Sequence, residues 1–328
     1  MKRLRYIVGL VLAASFAFFT FSNVDWHSVQ NNIASVGPKN ILLALCALST
    51  GYLIRVLRWK LLLKSANVSV DATRLAGPFL ASFALNNLVP ARAGDALRVF
   101  GFVREIGVRS SVLMATVIAE RFHDLATLLL LCLFGVLLTG GFQRQPVFPF
   151  VVFLWCLAII FGFIFTVLLY RWVAHILLRI RNLAFVSRSN LLVKIINFSL
   201  RNLIIVGKLS RKNLAPLAIL SLLAWLSEAA IFLVIANAVG IDMTLGNMLL
   251  ATGLATLMTL IPGTPGHIGT FDFGARAGFL AGGATMSQAM SATIIVHILL
   301  WLPITMVGGF YLLQLWLKKS AMKIPADA

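Results

Sequence analysis

Long apolar runs recur along this chain at the length that a bilayer crossing requires. A spanning α-helix needs about 20 mostly apolar residues. Such runs, with 60% hydrophobic and 12% charged residues over 328 positions, exclude an ordinary soluble domain. We therefore predict an all-α integral membrane protein. It has about six transmembrane helices, near 6–21, 41–63, 111–138, 148–170, 214–239 and 287–317.

Basic residues indicate the orientation of these spans. The chain has 28 Lys or Arg against 10 Asp or Glu. In a membrane protein this excess indicates cytoplasmic anchoring rather than nucleic-acid binding, because Lys and Arg accumulate in cytoplasmic loops. The dense basic clusters fall on one side of the predicted membrane when both termini are cytoplasmic. We also expect the first apolar run to be retained as a helix rather than cleaved as a signal peptide.

The segment 171–213 contains nine Lys or Arg and no acidic residue. Polar residues recur on one helical stripe, and aliphatic or aromatic residues fill the opposite face. This pattern predicts a cytoplasmic amphipathic helix lying among anionic headgroups. A solvated basic linker would explain the charge but not the periodicity, and the two interpretations are compatible.

Two stretches, 75–102 and 244–283, are apolar but interrupted by proline and glycine. Broken backbone at membrane depth persists only where protein or water satisfies it. We predict that each forms a re-entrant helical hairpin. The two stretches share a spacing of proline and glycine, Pro90-x3-Gly94 in the first and Pro262-x3-Gly266 in the second.

These elements divide the single membrane domain, 1–328, into two halves, 1–140 and 147–317. Each half has three spans and one hairpin, so the second half would be inverted relative to the first. Inverted repeats with broken helices are typical of transporters.

Two charged clusters lie within the predicted membrane region: Arg92, Asp95 and Arg98 in the first hairpin, and Glu120, Arg121 and Asp124 in the third span. The second cluster begins about 14 Å into its helix. Ionisable residues at such depth indicate a functional site. Because the six charges sum to zero, a neutral network that only holds the hairpin is one interpretation. The other is that Arg92 and Arg98 clamp a substrate phosphate.

The second hairpin offers a different kind of site. Gly263, Gly266 and Gly269 could let backbone N–H groups converge on an anion at the start of a helix, although close helix packing is the alternative. His267 is either a packed tip residue or a titrating group. Glu228 and His297 are candidates for proton coupling, or for ordinary hydrogen bonds to a neighbour. The cysteine spacing predicts no metal site, and we expect no cofactor and no enzymatic activity, since no catalytic motif occurs.

Three motifs together resemble the flippase-like membrane domain of lysylphosphatidylglycerol synthases: Asn86-x3-Pro90-x-Arg92-x-Gly94-Asp95-x2-Arg98, Glu120-Arg121-x2-Asp124 and Pro262-x2-Pro265-Gly266-x2-Gly269-x2-Asp272. The resemblance extends from about Arg5 to Leu317. Two residues depart from the pattern: Asp272 stands where the family more often has Glu, and His267 where a small residue is usual. The sequence ends at Ala328 without the aminoacyltransferase domain of the synthases, so a stand-alone member is expected.

The resemblance implies a flippase-like transporter in the bacterial cytoplasmic (inner) membrane. It would move an anionic phospholipid or a polyprenyl-phosphate-linked sugar between leaflets. The alternatives are a lipid-modifying enzyme or subunit, or a non-transporting anchor for a membrane glycosyltransferase or aminoacyltransferase. The expected substrate-binding residues are Asn86, Pro90, Arg92, Gly94, Asp95, Arg98, Glu120, Arg121, Asp124, Pro262, Gly263, Pro265, Gly266, His267, Gly269 and Asp272.

Overall fold

The computed structural model describes residues 15–16, 18, 20–22, 24–89, 92–139, 170–187, 189–261 and 265–321. The predicted spans 6–21 and 148–170 lie largely outside these residues, as do Pro90, Pro262 and Gly263. The described part of the chain is helical and contains no strand.

The helices are α1 (Trp26–Ala34), α2 (Pro38–Ser65), α3 (Ala72–Leu88), α4 (Ala93–Ala96), α5 (Val103–Ile106), α6 (Ser110–Leu138), α7 (170–181), α8 (Ala184–Ser187), α9 (Asn190–Lys212), α10 (Leu214–Ala238), α11 (Leu245–Met258), α12 (Thr270–Ala281) and α13 (Met286–Ala321). A π-helical turn, Leu97–Gly101, lies between α4 and α5, and a 3-10 turn, Pro265–His267, precedes α12.

Four helices are long and apolar enough to cross a membrane: α2, α6, α10 and, over Met286–Lys318, α13. They coincide with the predicted second, third, fifth and sixth spans. Proline at the start of α2 suits a first helical turn, where its missing N–H has no intrahelical partner. The chain is therefore a multi-pass integral membrane protein.

Two pairs of shorter helical segments, each pair joined by a non-helical turn, follow the long helices α2 and α10. In the first hairpin (72–106), Gly94 of α4 lies against the Ser82 carbonyl of α3. In the second hairpin (245–281), Gly274 and Gly278 of α12 lie against α11 near Ala255 and Ala251. Both arms of each hairpin are shorter than the four long helices.

The hairpins pack against long helices from the opposite half of the chain. Helix α3 runs along α13, where Gly308 lies against the Leu80 carbonyl, and α11 runs along α6, where Gly253 lies against Cys132. Glycine at these crossings lets two helices approach closely, as is common between membrane helices. The long helices α2 and α10 pack against each other, and the turn Pro265–His267 contacts α3. The turn before α12 therefore lies against the first hairpin.

The basic segment forms two antiparallel arms. Gly207 of α9 lies against the Tyr170 ring of α7, and Arg181 Nη1 donates to Asn197 Oδ1 at 3.3 Å. The face of α9 that stays exposed includes Leu191, Ile195 and Phe198. An apolar face open to the surroundings is typical of a helix at a membrane interface, whereas a solvated linker has no need of one.

Candidate functional site

A cavity of about 560 Å³ opens between the two hairpins and the four long helices. Its polar lining consists of Arg55, Asn86, Asn87, Arg92, Arg121, Asp124, Glu228, Thr256, Thr259, His267 and His297. Its aromatic lining consists of Tyr52, Phe83, Phe122, Trp225, Phe271 and Trp301. The cavity therefore combines charged groups with a largely apolar wall.

The tip of the first hairpin is held by Asn86. Its Oδ1 accepts the Gly94 N–H at 2.8 Å, and its Nδ2 donates to Asp95 Oδ1 at 3.1 Å. Asp95 also accepts two hydrogen bonds from Arg121 of α6, from Nη2 at 2.8 Å and from Nε at 3.1 Å. The returning arm is thus tied to both α3 and α6, which leaves Arg92 at the turn itself.

The structure seals Arg98 away from the cavity. Its guanidinium lies 4.9 Å from the ring centroids of both Trp59 and Phe79, and its Nη1 lies 3.2 Å from Glu120 Oε2. Arg98 and Glu120 are both fully buried. Arg98, which the sequence predicts to contact substrate phosphate, does not line the cavity; in this arrangement its pair with Glu120 holds the first hairpin against α6.

Two arginines in the second half of α2, Arg55 and Arg58, are buried. Arg58 Nη1 donates to Asp124 Oδ1 at 2.7 Å and to Ser221 Oγ at 2.8 Å. Arg55 Nη2 donates to Glu228 Oε2 at 2.6 Å, with its guanidinium 4.8 Å from the Trp225 ring centroid. A signal for this existed, because Arg55 and Arg58 share a helical face with Gly51 and Leu62.

The charges at the centre of the molecule comprise five arginines and four carboxylates. They are Arg55, Arg58, Arg92, Arg98 and Arg121, with Asp95, Glu120, Asp124 and Glu228. Each carboxylate lies within 4.0 Å of an arginine. The predicted i,i+3 contact between Arg121 and Asp124 is present at 3.6 Å. Among the described residues, Arg92 has no carboxylate within that distance, so the group carries one net positive charge.

The tip of the second hairpin is held by Asp272 and His297. Asp272 Oδ2 accepts the Gly269 N–H at 2.9 Å, and its Oδ1 lies 2.6 Å from His297 Nδ1. His297 Nε2 lies 2.9 Å from the Gly266 carbonyl oxygen. Gly266 and His267 line the cavity, whereas Pro265, Gly269 and Asp272 do not. The Gly269 N–H, one of the three glycine N–H groups predicted to converge on an anion, is bonded within the protein.

Asn87 and Trp301 also belong to the site, although the sequence did not indicate them. Asn87 Nδ2 donates to Thr305 Oγ1 at 2.9 Å, and Trp301 Nε1 donates to the Asn87 carbonyl at 3.4 Å. The Trp301 ring also covers Gly266. Trp301 thus joins the two tips. No local pattern could have paired an amide with a tryptophan 214 positions away.

Comparison with known proteins places this cavity in a family context. A family model described as the lysylphosphatidylglycerol synthase TM region matches residues 6–308. A UPF0104 membrane protein of Pyrococcus horikoshii is 25% identical over 340 residues, covering 95% of this chain and 97% of that protein. Every residue that lines the cavity falls inside the region matched by the family model. Among the described residues, no group of His, Cys, Asp or Glu could hold a metal ion.

Proposed function

This chain belongs to the lysylphosphatidylglycerol synthase TM region family, and from that premise we propose that it binds the anionic headgroup of a membrane lipid and moves it between leaflets. The observation that carries the proposal is Arg92. It lines the cavity at the turn of a broken helix and is the central arginine without a carboxylate partner in the described chain.

A guanidinium that lacks a counter-ion in such a setting favours an incoming anion. Arg92 is exposed at the cavity wall, so an anion can reach its guanidinium without first displacing a carboxylate. A phosphate can accept two parallel hydrogen bonds from arginine, which adds geometric selectivity to the charge. Arg121 lies in the same cavity, but Asp95 and Asp124 share its guanidinium.

The apolar wall supports an amphiphile rather than a soluble anion. Phe122 on α6 and Leu260 before the second tip both line the cavity while 39% and 51% exposed, respectively. A headgroup could therefore reach Arg92 while its hydrocarbon chains stay outside, in lipid. Anionic phospholipids and polyprenyl-phosphate-linked sugars both have this chemistry.

An inverted repeat would supply the two alternating states. The packing of α3 on α13 and of α11 on α6 pairs each hairpin with the long helix that ends the other half. This reciprocal packing supports the repeat, because related halves make related contacts. Transporters of this kind rock one part against another around a fixed central site.

The alternative of a lipid-modifying enzyme receives less support from the cavity. Its two lining carboxylates, Asp124 and Glu228, are each bound to an arginine. Either carboxylate would have to leave its arginine before it could act on a substrate, and that would leave a buried charge unpaired. The expected cytoplasmic termini, inner-membrane location and enzyme partner remain part of the proposal.

The test is leaflet exchange of a fluorescent anionic phospholipid in vesicles containing the purified protein. We expect Arg92→Ala to lower the exchange rate at least about tenfold, the effect of losing about 1.4 kcal/mol of binding. Arg92→Lys should also be impaired, because a lysine keeps the charge without the bidentate fork. Arg104→Ala, which removes an exposed arginine of α5, is the control. If the parent binds anionic lipid without exchanging it, the protein is a non-transporting anchor; equal exchange in all variants would remove Arg92 from the site.

A further inference from the structure

We propose that Asp272 and His297 form a proton-binding site, and that its proton binds together with the anionic headgroup. The inference rests on the proposed function, since it concerns the same cavity. It also chooses between the two coupling candidates, because Glu228 is already bound to Arg55 at 2.6 Å.

Both ring nitrogens of His297 face oxygen acceptors. The Gly266 carbonyl cannot donate, so His297 Nε2, 2.9 Å away, must carry a hydrogen. A carboxylate oxygen lies 2.6 Å from Nδ1, and a bare nitrogen at that distance would repel it. A second proton must therefore lie between Nδ1 and Oδ1. The Asp272–His297 pair holds this proton whichever atom bears it, and is then formally neutral.

Loss of this proton has two consequences for the cavity. The neutral imidazole has a single N–H, so it can bond Asp272 or the Gly266 carbonyl but not both. The pair also becomes formally negative next to a cavity that would hold a negative headgroup. Deprotonation therefore loosens the second tip and repels the anion.

The charged groups around the Asp272–His297 pair couple its proton binding to anion binding in the cavity. His267 of the same tip interacts electrostatically with both His297 and Arg92, and all three line the cavity. The polar lining residues of α3 are the amides Asn86 and Asn87, and Glu228 of α10 is paired with Arg55 of α2. When the pair is negative, it adds a negative charge beside the cavity and so disfavours an anionic headgroup there. By reciprocity, a bound anion must favour the bound proton by the same factor.

The Asp272→Asn variant should remove the additional proton while keeping the hydrogen bonds of the second tip. An asparagine Nδ2 could donate to His297 Nδ1 while its oxygen accepts the Gly269 N–H. Nε2 would remain bonded to the Gly266 carbonyl, so every contact would survive without the extra proton. Asp242→Asn, which removes an exposed carboxylate outside the cavity, is the matched control.

Proton NMR of the purified full-length protein tests the site without any lipid. We expect a far-downfield resonance at acidic pH that disappears on raising the pH and is absent from Asp272→Asn and His297→Gln. The Asp242→Asn control should keep it. A parent spectrum without this resonance at acidic pH would overturn the proposal, whatever the protein transports.

Binding of fluorescent phosphatidylglycerol, with phosphatidylcholine for comparison, tests the coupling. When the pH is raised from about 5 to about 8, we expect the parent's affinity for phosphatidylglycerol to fall about tenfold. Asp272→Asn should bind with one affinity throughout. A pH-independent parent that still binds phosphatidylglycerol contradicts the coupling alone, whereas a parent that binds neither lipid contradicts the proposed function and leaves the NMR result to decide the proton site.

Discussion

Arg92 adopts a backbone conformation that disfavours its own side chain. In the described chain, the non-glycine residues with positive φ are Asn67, Arg92 and His267, at 61°, 53° and 58°. Asn67 occupies the turn after α2, but the other two line the cavity, one from each hairpin tip. Strained backbone of this kind is concentrated at binding and catalytic sites. Arg92 thus presents a guanidinium where glycine would be the more stable residue.

Replacing Arg92 with Gly should raise stability while removing anion binding. The left-handed conformation costs a non-glycine residue roughly 1–2 kcal/mol, and Arg92 has no ion pair to lose. The measurements are thermal unfolding in detergent and phosphatidylglycerol affinity. Asn67→Gly is the control, which should relieve comparable strain with unchanged affinity. A less stable Arg92→Gly variant would indicate an unrecognised structural role for the arginine.

At the scale of the element, the first hairpin depends on one close approach. The returning arm is short and irregular, with α4, a π-helical turn and α5 in place of one continuous helix. It stays against α3 because Gly94 has no side chain: a Cβ there would overlap the Ser82 carbonyl oxygen. The Gly94 N–H also bonds Asn86, so the same residue sets both the spacing and the register of the tip.

Gly94→Ala should therefore destabilise the protein by about 1–3 kcal/mol, the usual cost of overpacking a buried site. Its backbone neighbour cannot rotate away as a side chain could. Gly309→Ala on α13 is the matched control, because nothing lies within 4 Å of a Cβ at that position. Thermal unfolding of both variants provides the comparison, and equal stability would show that the hairpin can separate without cost.

At the scale of the whole molecule, a buried ion pair and a buried hydrogen bond join the two halves of the chain. Arg58 links α2 to Asp124 of α6 and to Ser221 of α10, while Arg55 reaches Glu228. These contacts converge at one end of the cavity, so movement of one half must rearrange charge as well as packing. A bistable packed core of this kind can convert a local change into a larger one.

Helix α10 and the basic segment before it together predict which loops face the cytoplasm. Lys194 on α9 and Asp242 beyond α10 are both exposed, and the 25-residue helix α10 separates them. We expect impermeant thiol reagents to label a cysteine at 242 in intact cells and one at 194 only after permeabilisation, in a background without Cys46, Cys132 and Cys156. The basic segment around 194 gives this orientation. Labelling of 194 from outside would reverse the topology.

Local sequence was sufficient for the membrane class and for the position of most helices. A span is recognised from its own 20 or so residues, so α2, α6, α10 and α13 coincide with predicted apolar runs. Proline and glycine likewise act on their immediate backbone, so the breaks near Gly94 and Gly266 could be anticipated. The family resemblance was also carried by local motifs, and the match over 6–308 confirms it.

Only the tertiary structure decided how the charges are shared. In sequence, Arg55 and Arg58 are indistinguishable from Lys60, because all three lie near the end of the second predicted span. In the structure, however, Arg55 and Arg58 are paired with Glu228 and Asp124, which lie 173 and 66 positions away, respectively. Whether a charge is solvated, paired or left open to a ligand depends on what packs against it, and sequence distance carries no such information. The sequence therefore predicted the same phosphate-binding role for Arg92 and Arg98. Packing buried Arg98 against Glu120 and left Arg92 facing the cavity, because the first hairpin folds back on α3 between them.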